Sequence, residues 1–410
     1  MKVLIRPYLF IVSLFSLNLY ASNDLLIGGI LSFDLGIGKI SYGIIDYLSD
    51  SLTIQYCSSG VFSLGQDPYA IENKVHEATE QVDASFFLHI DSLPSILHDD
   101  YTEFLSPSTI KCAYSMFEAS AIPGFCADYL NNNFDVVLVP DPFLIEVYNK
   151  SGVTLPIFCI PTGLYLEKFL MIEEKKSSHK PFVFGCIANR WARKNLKKLI
   201  TVFYELFGND NNYALKIHAS GYHCGESLEE YVDQLKVSNV FITSEMFEED
   251  GCVDFMKECD CYILLSKAEG FSNTPREAMA AGVPCIITDN TAHATICNAD
   301  MAIAVPSQEE IDAWDEVFLT VTGKQFDCKN DDVKKAMLFV VNNYQTCLTK
   351  AVQARQWVKQ YEWSALKSLY TAFFKPKNVI FSRVNSIDPS SQTVTTNDVS
   401  LYRKFKRLVL

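Results

Sequence analysis

Apolar runs typical of buried strands alternate with segments of helical periodicity, and the whole alternation occurs twice along the chain. The runs lie at residues 25–32, 85–90, 134–139 and 157–160 in the first half, and at 182–188, 214–218, 240–242, 261–265 and 285–288 in the second. Helix-length segments separate the runs, which leaves room for the crossover connections that parallel pairing needs. The sequence therefore predicts two α/β domains, each built on a parallel sheet.

Polar stretches set the predicted boundaries between these units. A chain of 410 residues is long enough for two domains with additions. We expect the first domain over residues 25–170 and the second over 181–350, with the charged stretch 173–180 as the linker. The first apolar run leads through a glycine-containing loop into a helical pattern, the usual opening of a Rossmann-like unit.

Charge and cysteine usage exclude several classes of protein. The formal charge of −14 argues against a general nucleic-acid binder, which needs a basic face. The 13 cysteines cannot all pair and include no Cys-x-x-Cys, so neither a disulfide scaffold nor a zinc framework is indicated. Most are expected to be small core residues in a reducing compartment. His218, His223 and Cys224 offer no fourth metal ligand, and we interpret them as loop residues after a strand.

The two ends of the chain leave the compartment open. Lys2 and Arg6 precede an apolar run over residues 8–20, the layout of a secretory signal or a marginal membrane anchor. The run is shorter than the ~20 residues that span a bilayer, and an extra strand or helix on the domain is the alternative for residues 1–24. Residues 376–410 are expected to form a flexible tail, whose basic and apolar end at 402–410 is either an interfacial segment or a solvated terminus.

The segment 266–287 has the strongest local pattern in the chain. It contains a strand end, a glycine loop and a helix start, and the helix is expected to end at Gly282. Thr274 as N-cap, Pro275 at the first helical position and Glu277 three residues after the cap form a predicted capping box. Backbone N–H groups at Ser272, Asn273 and Thr274 would then suit a phosphate group.

Glu269 and Glu277, seven residues apart across that loop and followed by Ala-Gly-Val-Pro, resemble the signature of retaining glycosyltransferases of the family-four, group 1 type. That family has the GT-B fold, in which two Rossmann-like domains face each other across a cleft. The resemblance implies that Glu269 contacts hydroxyls of the donor sugar and that Glu277 holds the ribose of the nucleotide. An ionised carboxylate is a pure acceptor, as sugar hydroxyls require.

A basic stretch follows the first strand of the second domain, Asn189-Arg-Trp-Ala-Arg-Lys-Asn195. It resembles the family's Arg-to-Lys stretch, which clamps the donor diphosphate, and Arg190 and Lys194 match it best. Arg193 is a competing assignment, because the family spacing is often one residue longer. Cations at a helix start oppose the helix dipole unless an anion lies nearby, which favours a binding role.

Two further candidates lie in the first domain. Gly36-Ile-Gly38 after the first strand resembles the family's glycine loop, which approaches the diphosphate and the acceptor. His89, at the end of a strand, resembles a histidine that lies close to the reacting sugar in many members. The alternative for His89 is a satisfied core group.

The likeness extends from about Leu25 to about Phe374. Trp357 and Tyr361-Glu-Trp363 resemble the last helix of the family, so residues 351–375 are expected to cross back onto the first domain. Arg276 departs from the pattern, because an apolar residue is common at its position.

The resemblance implies a retaining hexosyltransferase that uses a nucleoside-diphosphate sugar and needs no metal or other cofactor. The expected partners are that donor and a saccharide or lipid-linked acceptor, with a peripheral membrane contact and no nucleic acid. We expect the catalytic domains in the cytoplasm, at the membrane face. The rival hypotheses are a sugar-nucleotide epimerase on the same fold and a degenerate transferase that only binds.

Overall fold

The computed structural model describes residues 23–33, 36–58, 67–220, 227–245, 247 and 250–375. They form two parallel sheets covered by helices, so the predicted fold class of two Rossmann-like domains is confirmed. The predicted signal-like segment and flexible tail fall largely on residues 1–22 and 376–410, outside the described residues, as do His223 and Cys224.

The first sheet has seven parallel strands with a doubly wound order. The strands are β1 (Asn23–Gly29), β2 (Ile54–Ser58), β3 (His76–Glu77), β4 (Ala84–Ile90), β5 (Ile110–Tyr114), β6 (Val136–Val139) and β7 (Ile157–Cys159). Their spatial order is β3-β2-β1-β4-β5-β6-β7, and all the pairs are parallel. From β1 the chain adds strands first on one side of the sheet, as β2 and β3, and then on the other side, beginning with β4. This reversal of strand order between β1 and β4 is a topological switch point, which opens a crevice at the carboxyl ends of the strands.

Four helices and two short 3₁₀ turns connect these strands, and a fifth helix follows β7. The helices are α1 (Gly38–Leu48), α2 (Leu93–Ile96), α3 (Gly124–Asn133), α4 (Pro142–Lys150) and α5 (Glu167–Leu170), and the turns are Ile71–Asn73 and Thr102–Phe104. Helix α1 buries most of its length against the sheet, because its isoleucines recur at helical spacing on one face.

The second sheet repeats the plan with six parallel strands. Its elements are β8 (Phe182–Asn189), α6 (Leu196–Phe207), β9 (Tyr213–Ser220), α7 (Leu228–Leu235), β10 (Val240–Thr243), α8 (Gly251–Glu258), β11 (Cys261–Leu264), α9 (Asn273–Ala280), β12 (Cys285–Asp289), α10 (Thr291–Asn298) and β13 (Ile303–Pro306). The order is β10-β9-β8-β11-β12-β13, which places the switch point between β8 and β11. A 3₁₀ turn at Ala192–Lys194 joins β8 to α6.

An antiparallel hairpin that the sequence patterns did not predict follows β13. Its strands are β14 (Glu309–Asp315) and β15 (Thr320–Asp327). Ser120 of the first domain donates its backbone N–H to the carbonyl of Lys324 at 2.9 Å, and the backbone N–H of Lys324 donates to Ser120 Oγ at 2.8 Å. The hairpin therefore bonds the second domain to the first.

The last helices are α11 (Asn330–Asn342), α12 (Tyr344–Trp357) and α13 (Trp363–Phe374), with a 3₁₀ turn at Val358–Tyr361 between the last two. Helix α13 packs on α1, and its Trp363 is fully buried in the first domain's core. An added Cβ would lie 2.0 Å from Trp363 at Gly43 and 2.1 Å from it at Gly163. The indole thus fills space that only glycine leaves at these two positions.

Two chemical features of the described residues bear on the expectations above. Twelve cysteines lie in the described part of the chain, all as free thiols and most of them buried. No helix within the described ranges is both long and apolar enough to cross a bilayer.

The contact between Gly43 and Trp363 predicts an unusual effect for Gly43→Ala. Glycine to alanine inside a helix ordinarily stabilises a protein by roughly 0.5–1 kcal/mol. Here the new methyl group would overlap the indole, so we expect a loss of about 1–3 kcal/mol in the free energy of unfolding, measured by denaturant titration.

The matched control is Gly124→Ala in the first turn of α3, where an added Cβ meets nothing within 4 Å. A Gly43→Ala protein as stable as the Gly124→Ala protein would contradict the packing of α13 on α1.

Candidate functional site

The predicted site residues lie at the carboxyl ends of the strands that flank the two switch points. Gly36 and Gly38 follow β1, and His89 is the next-to-last residue of β4. Lys194 follows β8, and Glu269 follows β11. An added Cβ at Gly36 would lie 4.0 Å from the Asn273 amide nitrogen, so the glycine loop of the first domain faces the start of α9 in the second.

Glu269 is buried at the centre of a set of charges. Lys194 Nζ pairs with its Oε1, and Arg193 Nη1 lies 3.1 Å from its Oε2. Arg193 Nη2 also donates to Glu118 Oε1 of the first domain at 3.0 Å. Burial alone would raise the pKa of Glu269, but Lys194 and Arg193 outweigh burial and hold that pKa far below its usual range. The carboxylate is therefore a permanent acceptor at neutral pH.

Arg190 lies beside this set but is engaged elsewhere. Its guanidinium donates two hydrogen bonds to Glu229, at 2.9 and 2.6 Å, and its Nε donates to the carbonyl of Ala219 at 3.0 Å. These bonds to Arg190 hold the pKa of Glu229 at about 2. Of the two arginines in the basic stretch, Arg193 is the one that contacts Glu269, because the 3₁₀ turn before Asn195 directs it there together with Lys194.

The predicted capping box at α9 is wrong. The helix begins at Asn273, its N-cap is Ser272 with φ +70°, and no side chain caps it. Thr274 Oγ1 instead accepts a hydrogen bond from Tyr262 Oη at 2.6 Å. The left-handed backbone of Ser272 starts the helix two residues earlier than the Ser/Thr-x-x-Glu pattern indicates, so Glu277 is free of any capping role. The first turn keeps N–H groups that can bind an anion.

Glu277 lies one turn further along α9 and faces a cation of the first domain. Burial raises the pKa of Glu277, and Lys39 of α1 partly offsets the effect. Lys39 directly follows Gly38, so the glycine loop brings positive charge to the same place. Glu269 and Glu277 thus have pKa values displaced in opposite directions although both lie on the β11–α9 unit.

His89 belongs to a different neighbourhood. Its side chain is 1% exposed and packs edge-on against Tyr101, with ring centroids 4.9 Å apart. Its Nε2 lies 3.4 Å from Asp99 Oδ2, and its contacts among the described residues are with other side chains of the first domain. Asp99, whose side chain is 22% exposed, thus borders this buried neighbourhood.

His89, Asp91 and Asp99 each offer one ligand atom, and these atoms lie within 4.8 Å of one another. In the described part of the chain this is the group of side chains that could hold a metal ion. Burial raises the pKa of Asp91. The group lies at the carboxyl end of β4 in the first domain. His218, the other histidine considered for a metal, lies within β9 and not in the loop that the sequence predicted. It stacks on Phe247 and bonds to Thr243 Oγ1 at 3.0 Å.

Sequence reasoning missed three residues that the structure places at the site. Glu118 pairs with Arg193 from the other domain, and His293 of α10 contacts Ser272 Oγ through Nε2 at 2.8 Å. Asp141 of the first domain lies behind α9, 3.9 Å from Arg276. Each is far from its partner in sequence and follows no motif, so no local signal marks it.

The buried imidazole of His293 predicts a pH dependence of stability. Burial lowers its pKa to about 4, below the value of about 6.5 expected in the unfolded chain. Between these values the unfolded chain binds the additional proton. The contribution of His293 is therefore complete above pH 6.5 and is lost as the pH falls to 4.

His293→Gln should remove this contribution. Between pH 7 and pH 4 the free energy of unfolding of the wild-type protein should fall by on the order of 3 kcal/mol more than that of the variant. Urea titrations across this range measure the difference, with the exposed His98→Gln as control. Equal slopes for wild type and His293→Gln would show that His293 is not a buried neutral group.

Comparison with known proteins agrees with this geometry. Residues 181–322 match the family model described as glycosyl transferases group 1. This region contains the basic stretch after β8, Glu269 and the whole of α9. A protein of Bacillus subtilis (strain 168) assigned as a glycosyltransferase, EpsF, is 25% identical over 168 residues, which cover 39% of this chain and 43% of EpsF. The chain thus spans less than half the length of this relative.

Several solved structures share the architecture. Sucrose-phosphate synthase from Thermosynechococcus elongatus has a TM-score of 0.62 at 11% identity and covers 86% of this chain and 98% of its own. Anabaena HepE in complex with UDP and glucose has a TM-score of 0.59 at 13% identity, and the match covers 86% of this chain and 100% of the HepE chain. A variant of S. aureus TarM with UDP and α-GlcNAc-glycerol has a TM-score of 0.54 at 14% identity, and the match covers 72% of this chain and 55% of the TarM chain. The fold is therefore the GT-B fold, and residues 181–322 are similar to the group 1 glycosyl transferases.

Proposed function

We propose that this protein transfers a hexose from a nucleoside-diphosphate sugar to an acceptor hydroxyl, with retention of configuration and without a required metal ion. The observation that carries the proposal is the position of Glu269. It lies ionised and buried between Lys194 and Arg193. It also lies just before the uncapped start of α9, opposite the glycine loop of the other domain.

The diphosphate has a complementary site in these groups. Its negative charge increases as the bond to the sugar breaks, so fixed cations and N–H dipoles that face it lower the barrier. Lys194, Arg193 and the first-turn N–H groups of α9 supply such charge. Arg190, assigned to the same role from the sequence, would first have to exchange its bonds to Glu229. These protein cations take the place that a metal ion would otherwise fill.

The two glutamates would bind different parts of the donor. Glu269, at the carboxyl end of β11, would accept hydrogen bonds from hydroxyls of the sugar once the diphosphate has drawn Lys194 and Arg193 away from it. Glu277, one turn into α9, would accept from the ribose hydroxyls. Retention is supported by the resemblance of this Glu269-to-Glu277 segment to retaining enzymes. The catalytic role of His89 stays a prediction from that resemblance.

The structural relatives indicate the donor and acceptor classes to test. HepE forms a complex with UDP and glucose, and the TarM variant forms one with UDP and α-GlcNAc-glycerol. We extend this to a UDP-hexose donor and a saccharide acceptor here. A lipid-linked acceptor and a position at the cytosolic face of a membrane rest on the sequence of residues 401–410 and of 1–22, which lie outside the described residues.

Nucleoside diphosphates should stabilise the protein in the absence of divalent metal. Ligand at ~100 times its dissociation constant should add nearly 3 kcal/mol to the apparent free energy of unfolding. Thermal-shift measurements with UDP, GDP and ADP, each with and without EDTA, provide the test. The absence of any shift would exclude the donor site, and a shift abolished by EDTA would exclude metal independence.

Glu269→Gln and Glu277→Gln should have different effects, because one residue is assigned to the sugar and the other to the ribose. Glu269→Gln should still bind free nucleoside diphosphate and lose turnover. Glu277→Gln should weaken the nucleotide itself by about 1–3 kcal/mol, the range for a hydrogen bond to a charged group.

Calorimetric titration of the nucleotide and an assay of sugar transfer to an acceptor separate the two effects. Glu146→Gln on the exposed surface of α4 is the matched control. Equal losses of nucleotide affinity in both variants would show that the roles are wrongly divided. Conversion of the sugar nucleotide without any acceptor would identify an epimerase instead.

A further inference from the structure

Arg276 in the first turn of α9 is a buried cation with an unusual set of partners. Its side chain is 0% exposed. Nη1 donates to the backbone carbonyls of Phe271 and Ser272, the latter at 3.1 Å. The guanidinium carbon lies 3.9 Å from the centre of the Phe271 ring and 4.7 Å from that of Tyr361. Arg276 therefore holds the turn that precedes its own helix.

These two hydrogen bonds fix the orientation of two successive peptide groups. In a trans peptide the C=O and the N–H point in opposite directions. The carbonyls of Phe271 and Ser272 point at Arg276, so the N–H groups of Ser272 and Asn273 point away from it. The side-chain amide of Asn273 faces Gly36 of the first domain. Arg276 thus fixes the orientation of two backbone donors in a turn that lies beside the first domain.

The counter-charge of Arg276 comes from the first domain. Asp141 is buried at the start of α4, and its Oδ2 lies 3.9 Å from Arg276 Nη2. Asp141 Oδ1 accepts from Thr295 Oγ1 at 2.9 Å and from the N–H of Phe143 at 3.2 Å. Neither Asp141 Oδ2 nor Arg276 Nη2 has a hydrogen-bond partner in the described residues.

An incompletely bonded buried ion pair is a poor source of stability. Removing both charges together with little change in volume is often neutral or stabilising, whereas removing one charge alone leaves the other unpaired. The effect of Arg276 should therefore be found in the geometry of the turn rather than in the free energy of unfolding. A leucine at this position could fill the space but could not bond to either carbonyl.

We propose that Arg276 is a positioning residue for the diphosphate of the donor: it holds the Phe271–Ser272 turn so that the N–H groups at the start of α9 point at the phosphates, with Asp141 of the other domain as its counter-charge. The assignment rests on the proposed function, because it presupposes that the start of α9 binds the diphosphate.

The test compares the wild-type protein with the double variant Arg276→Leu/Asp141→Asn. Asparagine retains the N-cap of α4, and the double change leaves no unpaired buried charge. Titration calorimetry gives the dissociation constants of UDP, GDP and ADP. Ligand-observed NMR gives the affinity of the nucleoside that corresponds to the diphosphate bound most tightly. Circular dichroism and the melting temperature report the fold.

A positioning role predicts a folded double variant whose nucleoside diphosphate affinity is at least tenfold weaker and whose nucleoside affinity is unchanged. An unchanged diphosphate affinity would overturn the inference, and so would equal losses for the diphosphate and the nucleoside. If the double variant does not fold, the same affinities are measured with Arg276→Lys, which retains the charge opposite Asp141 but lacks the guanidinium fork. A weaker diphosphate affinity with an unchanged nucleoside affinity supports the inference, and an unchanged diphosphate affinity overturns it. If the wild-type protein binds none of the diphosphates, the proposed function itself is wrong.

Discussion

Glu269 remains ionised in a buried position because Arg193 and Lys194 lie against it, and this compensation links the main parts of the site. The two cations come from the turn after β8 and the carboxylate comes from the turn after β11. Parallel strands that flank a switch point bring these turns together. Arg193 extends the set to Glu118 of the first domain. Two positive and two negative charges therefore meet where the sheets face each other.

Donor binding would be an exchange of ionic partners in this site. Leaving a buried charge without its partner costs about 3–5 kcal/mol. A diphosphate that takes Lys194 and Arg193 must therefore leave Glu269 with other donors, and hydroxyls of the sugar are suitable ones. A nucleotide without its sugar satisfies the cations but leaves Glu269 uncompensated. Under the proposed function, the site would therefore bind the complete sugar nucleotide in preference to the free diphosphate.

The approach of the two domains is fixed by contacts outside this charge set. The hairpin of β14 and β15 bonds through Lys324 to Ser120, and Phe318 near its tip packs edge-on against Phe125. At Gly323, where φ is +96°, an added Cβ would lie 2.8 Å from the N atom of Ala121. On the opposite side, Trp363 of α13 occupies the space above Gly43. These contacts hold Gly36 and Glu118 against the second domain.

Sequence patterns predicted the elements whose conformation is determined mainly by the residues within them. Buried parallel strands are continuous apolar runs, as at Val136–Val139, and this property predicted four of the seven strands of the first sheet and five of the six strands of the second. The hairpin was missed because its strands carry charges on an exposed face and gain their role only from contact with the first domain. The start of α9 was misplaced because a left-handed Ser272 overrides the capping pattern. Residue spacing could not decide whether Arg190 or Arg193 contacts Glu269, because that contact depends on the path of the 3₁₀ turn at Ala192–Lys194.

The environment of Glu277 shows that the first domain also affects the charge of a residue in the second. Burial disfavours its ionised form, and the nearest compensation is Lys39 of the first domain, directly after the glycine loop. Glu277 is a pure acceptor for ribose hydroxyls only when it is ionised. The approach of the first domain brings Lys39 close and so favours that form. Asp141 likewise belongs to the first domain and places its charge beside a residue of the second domain. Its partner, Arg276, bonds to the turn before α9. In the proposed function, the contribution of the first domain to donor binding would thus be electrostatic as well as steric.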